Sequence, residues 1–452
     1  MTPLTVATAL LLTGGIPVTV SAQSARGATT TTSSQSSIDP ALGAFIAKIR
    51  AVDNHTHVNT IAPDDSEYDA LPLEPLLPFP LPVRLQPDNP DWSAAARALY
   101  GYRHADLNEP HVIELRRTRE SVARKQGDKF PEWVLDQIGT EVMLANRVAM
   151  GPGLAPPRFR WVSYVDALML PLSTKAEGAT TPDRAKLYPL EEKLLRRYLA
   201  DLKVAQLPTT LDGYLRTVVT PTLERQRKAG CVAVKFEAGY LRSLDFAEVP
   251  VDTASRVYSR YVNGGEPPRA EYKALEDFLF RSIAREAGRL GMAVHIHSLE
   301  GAGSFYQAAG SDPLLLESAF NDPTLRSTNF VIVHGGGVFA SHAGAMLWKP
   351  NVYLDISAMV LIDSPAKLGR VLEDWLVQSP EKVLFGTDAS AFGPDMGWDS
   401  AAWVGTTTAR QALGIALTDM MRNGDVSRAR AEEIATMVMR TNAGKLYNLR
   451  LQ

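Results

Sequence analysis

A (β/α)8 barrel of the α/β class is the fold this sequence predicts, and three observations carry the prediction. Eight short apolar runs alternate with stretches of helical period from residue 50 onward. The chain, at 452 residues, is long enough for one large barrel. No run is followed by G-x-G-x-x-G or G-x-x-x-x-G-K-[ST], so a nucleotide-binding open sheet has no support.

Composition narrows the class further. Hydrophobic residues make up 45% and charged residues 21%, an ordinary soluble mix. The 47 Lys and Arg nearly balance the 50 Asp and Glu, so the basic footprint of a nucleic-acid binder is missing. The single cysteine, Cys231, cannot close an internal disulfide or supply a Cys-based zinc cluster. Its apolar neighbours Val232, Ala233 and Val234 mark it as a buried small hydrophobe. No segment reads as a membrane span. A small-molecule substrate suits this composition, and a homo-oligomer is compatible with it.

The N-terminus reads as a secretory signal peptide over residues 1–22. Leu4 to Leu12 is apolar, and Val20-Ser21-Ala22 puts small residues at a cleavage point after Ala22. The pattern departs from the usual one in having no Lys or Arg before the apolar run. Export to a periplasm or beyond is the expectation. Residues 23–38 form a disordered Ser/Thr-rich linker. The folded part is then 39–452, opening with a helix at Asp39-Pro40 ahead of Leu42, Phe45, Ile46 and Ile49.

In order, the expected strands are 51–57, 142–148, 159–168, 231–237, 292–297, 330–334, 351–357 and 382–388. Residues 142–148 and 159–168 carry the weaker patterns. Over 270–290 the positions Leu275, Phe278, Leu279, Ile283, Ala287 and Leu290 step by three or four, and Gly291 stops the helix. Helices are also expected over 365–378 and 427–441, the latter capped by Ser427. Residues 60–140 form an insertion after the first strand, Pro-rich and then helical around 112–125. A segment at that point of a barrel lies where active sites form, so it is expected to act as a cap.

Five of the eight histidines fall at the C-terminal ends of expected strands. His55 and His57 end the first in Val52-Asp53-Asn54-His55-Thr56-His57, and His295 and His297 end another in Ala293-Val294-His295-Ile296-His297. His334 ends the next, before Gly335-Gly336-Gly337. Residues two apart on a strand share a face, so each H-x-H pair points one way. In a parallel barrel all these ends open on one mouth, where Asp388 arrives from Phe385-Gly386-Thr387-Asp388. Imidazoles with one carboxylate make an N/O donor set that suits a divalent transition metal, Zn²⁺ first, with Mn²⁺, Fe²⁺ or Co²⁺ also fitting.

This ordered set resembles the amidohydrolase superfamily, and within it the amidohydrolase-related group, over about residues 42–450. Further matches are Val234-Lys235-Phe236-Glu237, His334-Gly335-Gly336-Gly337, Asn351-Val352-Tyr353-Leu354-Asp355-Ile356-Ser357 and Asn442-Ala443-Gly444-Lys445-Leu446-Tyr447. The resemblance implies that His55, His57 and Asp388 ligate the metal, together with one histidine of the fifth strand. His297 is the choice, as nearer the mouth, with His295 left as its supporting donor or as a core histidine. Lys235 would be the carboxylated bridge of a two-metal site, although Glu237 lies on its face and Lys235 could instead bind a substrate carboxylate as an ammonium. His334 would ligate a second metal or, with one ion, polarise the substrate carbonyl.

The function implied is hydrolysis of an amide, ester or lactone of a small molecule by a metal-activated water. Asp388 would be its base and His334 would assist. The alternative is a single-metal, non-oxidative decarboxylase on the same barrel. A barrel retained only for binding would have lost ligands, and none is missing. Tyr240 and Arg242 follow the fourth strand, where Arg242 could grip an anionic substrate group or simply form a surface salt bridge. Asp53 and Asp355 read as barrel-core hydrogen-bonding residues or as partners of ligand histidines. His104, His111 and His342 sit in helical or loop context, away from the site. Arg158, Arg160 and Trp161 cluster at the start of the third strand without separating recognition from packing.

Overall fold

The computed structural model describes residues 38–61 and 65–452. The expected signal peptide (1–22) and all of the expected linker (23–38) except its last residue lie outside the described residues.

Eight parallel strands pair in chain order, the arrangement of a (β/α)8 barrel. They are β1 (Ala51–Thr56), β2 (Thr140–Asn146), β3 (Phe159–Tyr164), β4 (Cys231–Phe236), β5 (Ala293–His297), β6 (Phe330–Val333), β7 (Val352–Asp355) and β8 (Val383–Leu384). Closure between β8 and β1 runs through the bridge of Thr56 with Ala389. It is reinforced where Asn54 N–H donates to Phe385 O (2.8 Å) and Asp388 N–H to His55 O (2.8 Å).

Several strands end sooner than their apolar runs. His57, Glu237 and His334 lie just past the last ladder residue, and Asp388 four residues beyond Leu384. There the backbone leaves extended geometry, with φ +66° at His334 and +59° at Asp388. A left-handed conformation is uncommon for side chains other than glycine, asparagine and aspartate. Such strain persists only where the surroundings enforce it, and it gathers at functional sites. The run 159–168 likewise splits into β3 and a 3-10 turn at Asp166–Met169.

The helices follow their capping signals. Asp39 accepts from Leu42 N–H and opens Pro40–Ala47. Arg269–Arg289 ends before Gly291, whose φ is +68°. Ser427 caps Arg428–Thr436, which runs into a π-helical turn over Met437–Thr441. No helix among the described residues is long and apolar enough to cross a membrane.

A large apolar core lies between the strands and the surrounding helices. A second cluster joins Val52, Leu144, Val162, Ala233, Val331 and Leu384, residues of six different strands. Only the inside of a closed barrel brings such residues together. Tyr447, from the C-terminal segment, packs on that cluster and plugs the end opposite the histidines. Its hydroxyl lies 2.7 Å from His295 Nε2 and donates to Asn54 Oδ1.

The insertion divides in two. Its early part reaches the barrel mouth through Asp69, described below. Its helices Pro90–Tyr100 and His111–Gln126 connect to the long Trp398–Asn423 helix and the loop before it. Tyr100 and Arg119 both bond Asp399, and Arg116 Nε donates to Asp395 (2.7 Å).

Candidate metal centre

The closure of β1 on β8 sets the first three donors. His55 Nε2 lies 3.2 Å and His57 Nε2 3.4 Å from the same oxygen, Asp388 Oδ1. The three residues offer ligand atoms all within 4.8 Å of one another. Both histidines are buried, while the Asp388 side chain keeps 21% exposure and faces the opening. Two imidazole nitrogens and a carboxylate around one point fit a divalent transition metal.

Each ring is held from behind. His57 Nδ1 donates to Asp69 Oδ2 (2.9 Å) and lies 3.2 Å from the Tyr164 hydroxyl. That leaves Nε2 facing Asp388, where it could ligate a metal on giving up its proton. His55 Nδ1 is 2.9 Å from the Asn146 amide nitrogen, which also donates to Thr56 O (3.0 Å). Asn146 Oδ1 is buried without a partner, so turning the amide would let it accept from His55 Nδ1–H when Nε2 serves a metal.

The structure separates the two histidines of β5. His295 Nε2 is engaged by Tyr447, toward the plugged end, although its Nδ1 is buried with no hydrogen-bond partner. His297 Nε2 is buried with no hydrogen-bond partner, and its ring lies 4.8 Å from that of His334. A buried nitrogen left bare is costly unless a ligand satisfies it.

His334 is positioned by β7. Its backbone N–H donates to Asp355 Oδ1 (2.8 Å), and its Nδ1 lies 2.9 Å from Ser357 Oγ. Ser357 Oγ in turn donates to Asp355 Oδ1 (2.5 Å), while Asn54 Nδ2 donates to Asp355 Oδ2 (2.6 Å). With the Ser357 proton directed at Asp355, His334 Nδ1 must be the donor to Ser357. His334 Nε2 therefore carries a lone pair. Asp53 plays a parallel structural part, accepting from Thr387 N–H (3.0 Å) and Thr387 Oγ1 (2.6 Å) at the β1–β8 seam.

Lys235 is fully buried, with Nζ 3.3 Å from His55 Nε2. Glu237, also buried, donates its N–H to Asp166 Oδ2 (2.8 Å) and leaves Oε2 unpartnered. The Tyr240 ring is tilted against that of His297, their centroids 4.7 Å apart.

Burial dominates the protonation states. It holds His55, His297 and His334 well below the usual histidine range, and the neighbouring Lys235 adds to the effect. These rings are neutral and able to ligate. Burial opposes a charge on His57 too, but Asp69 and Asp388 together outweigh it and lift the group to about 10. Burial also lowers Lys235, against the pull of Glu237 and Asp388, and raises Glu237 and Glu191 well above the usual carboxylate range. Burial pushes Asp166, beside Glu237, up to about 7.

Other sequence candidates lie elsewhere. Arg242 is not brought to the histidines. Its guanidinium donates to Glu276 Oε2 (2.7 Å) and Asp277 Oδ1 (2.5 Å) and lies over the Phe246 ring, making a buried ion-pair cluster in place of a surface salt bridge. Truncating Arg242 to Ala would strand the buried Glu276 carboxylate and leave Asp277 with Lys273 alone, and should cost about 3–5 kcal/mol of stability. Denaturant unfolding checks this, whereas a substrate-binding role would raise KM and leave stability intact. His104 stacks on His111, which pairs with Asp106, and His342 pairs with Asp312. Arg158 bonds Asp136 and the carbonyls at the start of β2, while the Trp161 indole donates to Arg147 O.

Sequence reasoning missed Asn146, Tyr164, Ser357 and Asp69. Asn146 and Tyr164 end β2 and β3, so the strand-end rule that found the histidines applied to them as well. Asp69 sits in the Pro-rich insertion, where no local pattern marks it.

The barrel and its donor set define a class, and comparison with known proteins agrees. The amidohydrolase family model matches residues 254–449, which span β5 to β8 with His295, His297, His334 and Asp388. The β1 histidines and Lys235 lie outside that stretch, and the fold joins them to it. Protein fluG of Emericella nidulans is 26% identical over 192 residues, 41% of this chain but 21% of its own length. This chain thus spans only a small part of that relative.

Among solved structures, a glucuronate isomerase of Caulobacter crescentus superposes with TM-score 0.62 at 13% identity, covering 91% of this chain and 94% of that one. A Lactobacillus casei protein described as a metal-dependent hydrolase gives 0.54 at 15% identity, covering 92% and 100%. A uronate isomerase of Thermotoga maritima gives 0.54 at 15%, covering 90% and 96%. At such identities the likeness is one of fold. The resemblance to the amidohydrolase superfamily is borne out over residues 254–449, where the family model matches.

Proposed function

We propose that this protein is a metal-dependent hydrolase acting on an amide, ester or lactone bond of a small molecule. The observation that carries the reading is the convergence of His55, His57 and Asp388, with Lys235 Nζ beside them. These residues would hold a divalent ion, Zn²⁺ first, which would supply Lewis acidity and the activation of water at neutral pH.

The chain's own groups do the rest. Asp388, partly open to the mouth, takes the proton of the attacking water and passes it to the leaving group. Asp69 and Asn146 hold the two β1 rings in place, so little reorganisation accompanies the reaction. Burial lowers Lys235, which favours the unprotonated amine that carbamate formation with CO₂ would need. His334 and His297, each with an Nε2 free to ligate, are the residues that would hold a second ion. The lone pair of His334 favours ligation over the carbonyl-polarising role open to it with one ion. The apolar run before Ala22 supports export, and N-terminal sequencing of the mature protein tests it.

The reading is tested by assaying amides, esters and lactones in ¹⁸O-labelled water. Hydrolysis places the label in the product acid. Release of CO₂ from a carboxylic acid, or interconversion of sugar acids without label in an acid product, would assign the barrel to decarboxylation or isomerisation instead.

A further inference from the structure

A continuous hydrogen-bond path crosses the barrel interior, from the end plugged by Tyr447 to His334 at the mouth. Tyr447 follows the short Asn442–Leu446 helix, and Leu446, Leu449 and Leu451 pack beside it on the inner apolar cluster. Gln452 N–H donates to Glu141 Oε1 (2.5 Å), which ties this segment to the start of β2.

The direction of every bond in the path follows from Asp355. Its Oδ2 accepts from Asn54 Nδ2 (2.6 Å). Its Oδ1 accepts from the N–H groups of His334 (2.8 Å) and Ser357 (3.0 Å) and from Ser357 Oγ (2.5 Å). A carboxylate only accepts, so the amide nitrogen of Asn54 faces it and Oδ1 faces Tyr447. The Tyr447 hydroxyl donates its one proton to that Oδ1, and so can only accept from His295 Nε2 (2.7 Å). His295 Nδ1 is then the bare nitrogen, in keeping with its lack of a partner. Toward the mouth, Ser357 gives its proton to Asp355 and takes one from His334 Nδ1 (2.9 Å), which leaves His334 Nε2 bare. Asn54, His295, Asp355 and Ser357 are fully buried, so bulk water cannot replace a lost partner.

We propose that Tyr447 and Asn54 are positioning residues of the metal centre. The Tyr447 hydroxyl fixes the Asn54 amide, the amide fixes the Asp355 carboxylate, and Asp355 with Ser357 fixes the His334 ring. Without the hydroxyl, Asn54 Oδ1 has no partner, and the amide can turn to set oxygen against oxygen at Asp355. The carboxylate then shifts and frees Ser357 to donate to His334, which moves the ring proton to Nε2. For metal binding, the proposal rests on the reading of His334 as a residue that would hold an ion.

The test uses the zinc-loaded full chain with ¹⁵N-labelled histidine. The His334 Nδ1–H signal, identified by its absence in His334→Gln, should be present and slow to exchange with solvent in the parent protein. In Tyr447→Phe and in Asn54→Ala it should exchange at least about tenfold faster. Zinc affinity in chelator competition should fall roughly ten- to hundredfold in both. Because Tyr447 acts through Asn54, the double variant should be no worse than Asn54→Ala alone, a coupling that independent packing losses would not give. His295→Gln, which leaves Tyr447 bonded to Asn54, should change neither readout. If Asn54→Ala does not fold, Tyr447→Phe against His295→Gln decides. An undisturbed His334 signal in Tyr447→Phe would overturn the proposal, as would additive losses in the double variant or equal damage from His295→Gln. A disturbed signal with unchanged zinc affinity would uphold the positioning and strike His334 from the ligands, so failure of that reading shows separately.

Discussion

Replacing His55 and His57 together with Ala should reduce turnover to the uncatalysed background, a loss of at least about 10⁶-fold for an enzyme of ordinary proficiency. Both imidazoles reach the same Asp388 oxygen, at 3.2 and 3.4 Å, so the pair cannot be lost without dissolving the centre. A melting curve belongs beside the assay, because Asp69 loses its His57 partner in this variant. His295→Gln is the contrasting substitution. Its Nε2 serves Tyr447 on the plugged side, and the Gln amide can still meet that hydroxyl, so metal and turnover should both persist. Equal damage from both substitutions would mean that the β5 and β1 histidines are all structural.

Asp388→Asn should lower kcat by about 10²–10⁴-fold, the range associated with general acid–base catalysis. Asn is the informative replacement because Asp388 has φ +59°, a conformation that Asn tolerates and most residues do not. The variant therefore keeps its backbone and one ligating oxygen, and loses the proton acceptor. Metal content should fall less than in the double-histidine variant. An unchanged kcat would move the base elsewhere, with Glu237 and its unpartnered Oε2 the next group to replace.

Much of this centre could be read in advance because strand ends are local features. An apolar run closed by His-x-His declares both a strand and the residues that leave it, and a parallel barrel then brings every such end to one mouth. The same logic applied to Asn146 and Tyr164, which close β2 and β3. It lacked weight there only because neither side chain is a common ligand.

Asp69 belongs to another category. It reaches His57 from an insertion whose course over the barrel depends on tertiary packing, and nothing in its own neighbours marks it. Arg242 shows the same limit from the other side. It follows the fourth strand in sequence, but only packing decides that it meets Glu276 and Asp277. Tyr447 is a further case, since a C-terminal motif gave no sign that it would plug the barrel beneath His295.

The central claim is that the barrel mouth holds a catalytic metal through His55, His57 and Asp388. Elemental analysis of the purified protein tests it most directly, run in parallel on the double-histidine variant. Bound transition metal in the parent protein and its loss from the variant is the predicted result, and two ions per chain would further support Lys235 as a bridge. A parent protein that holds no ion even after incubation with Zn²⁺ or Mn²⁺ would contradict the claim.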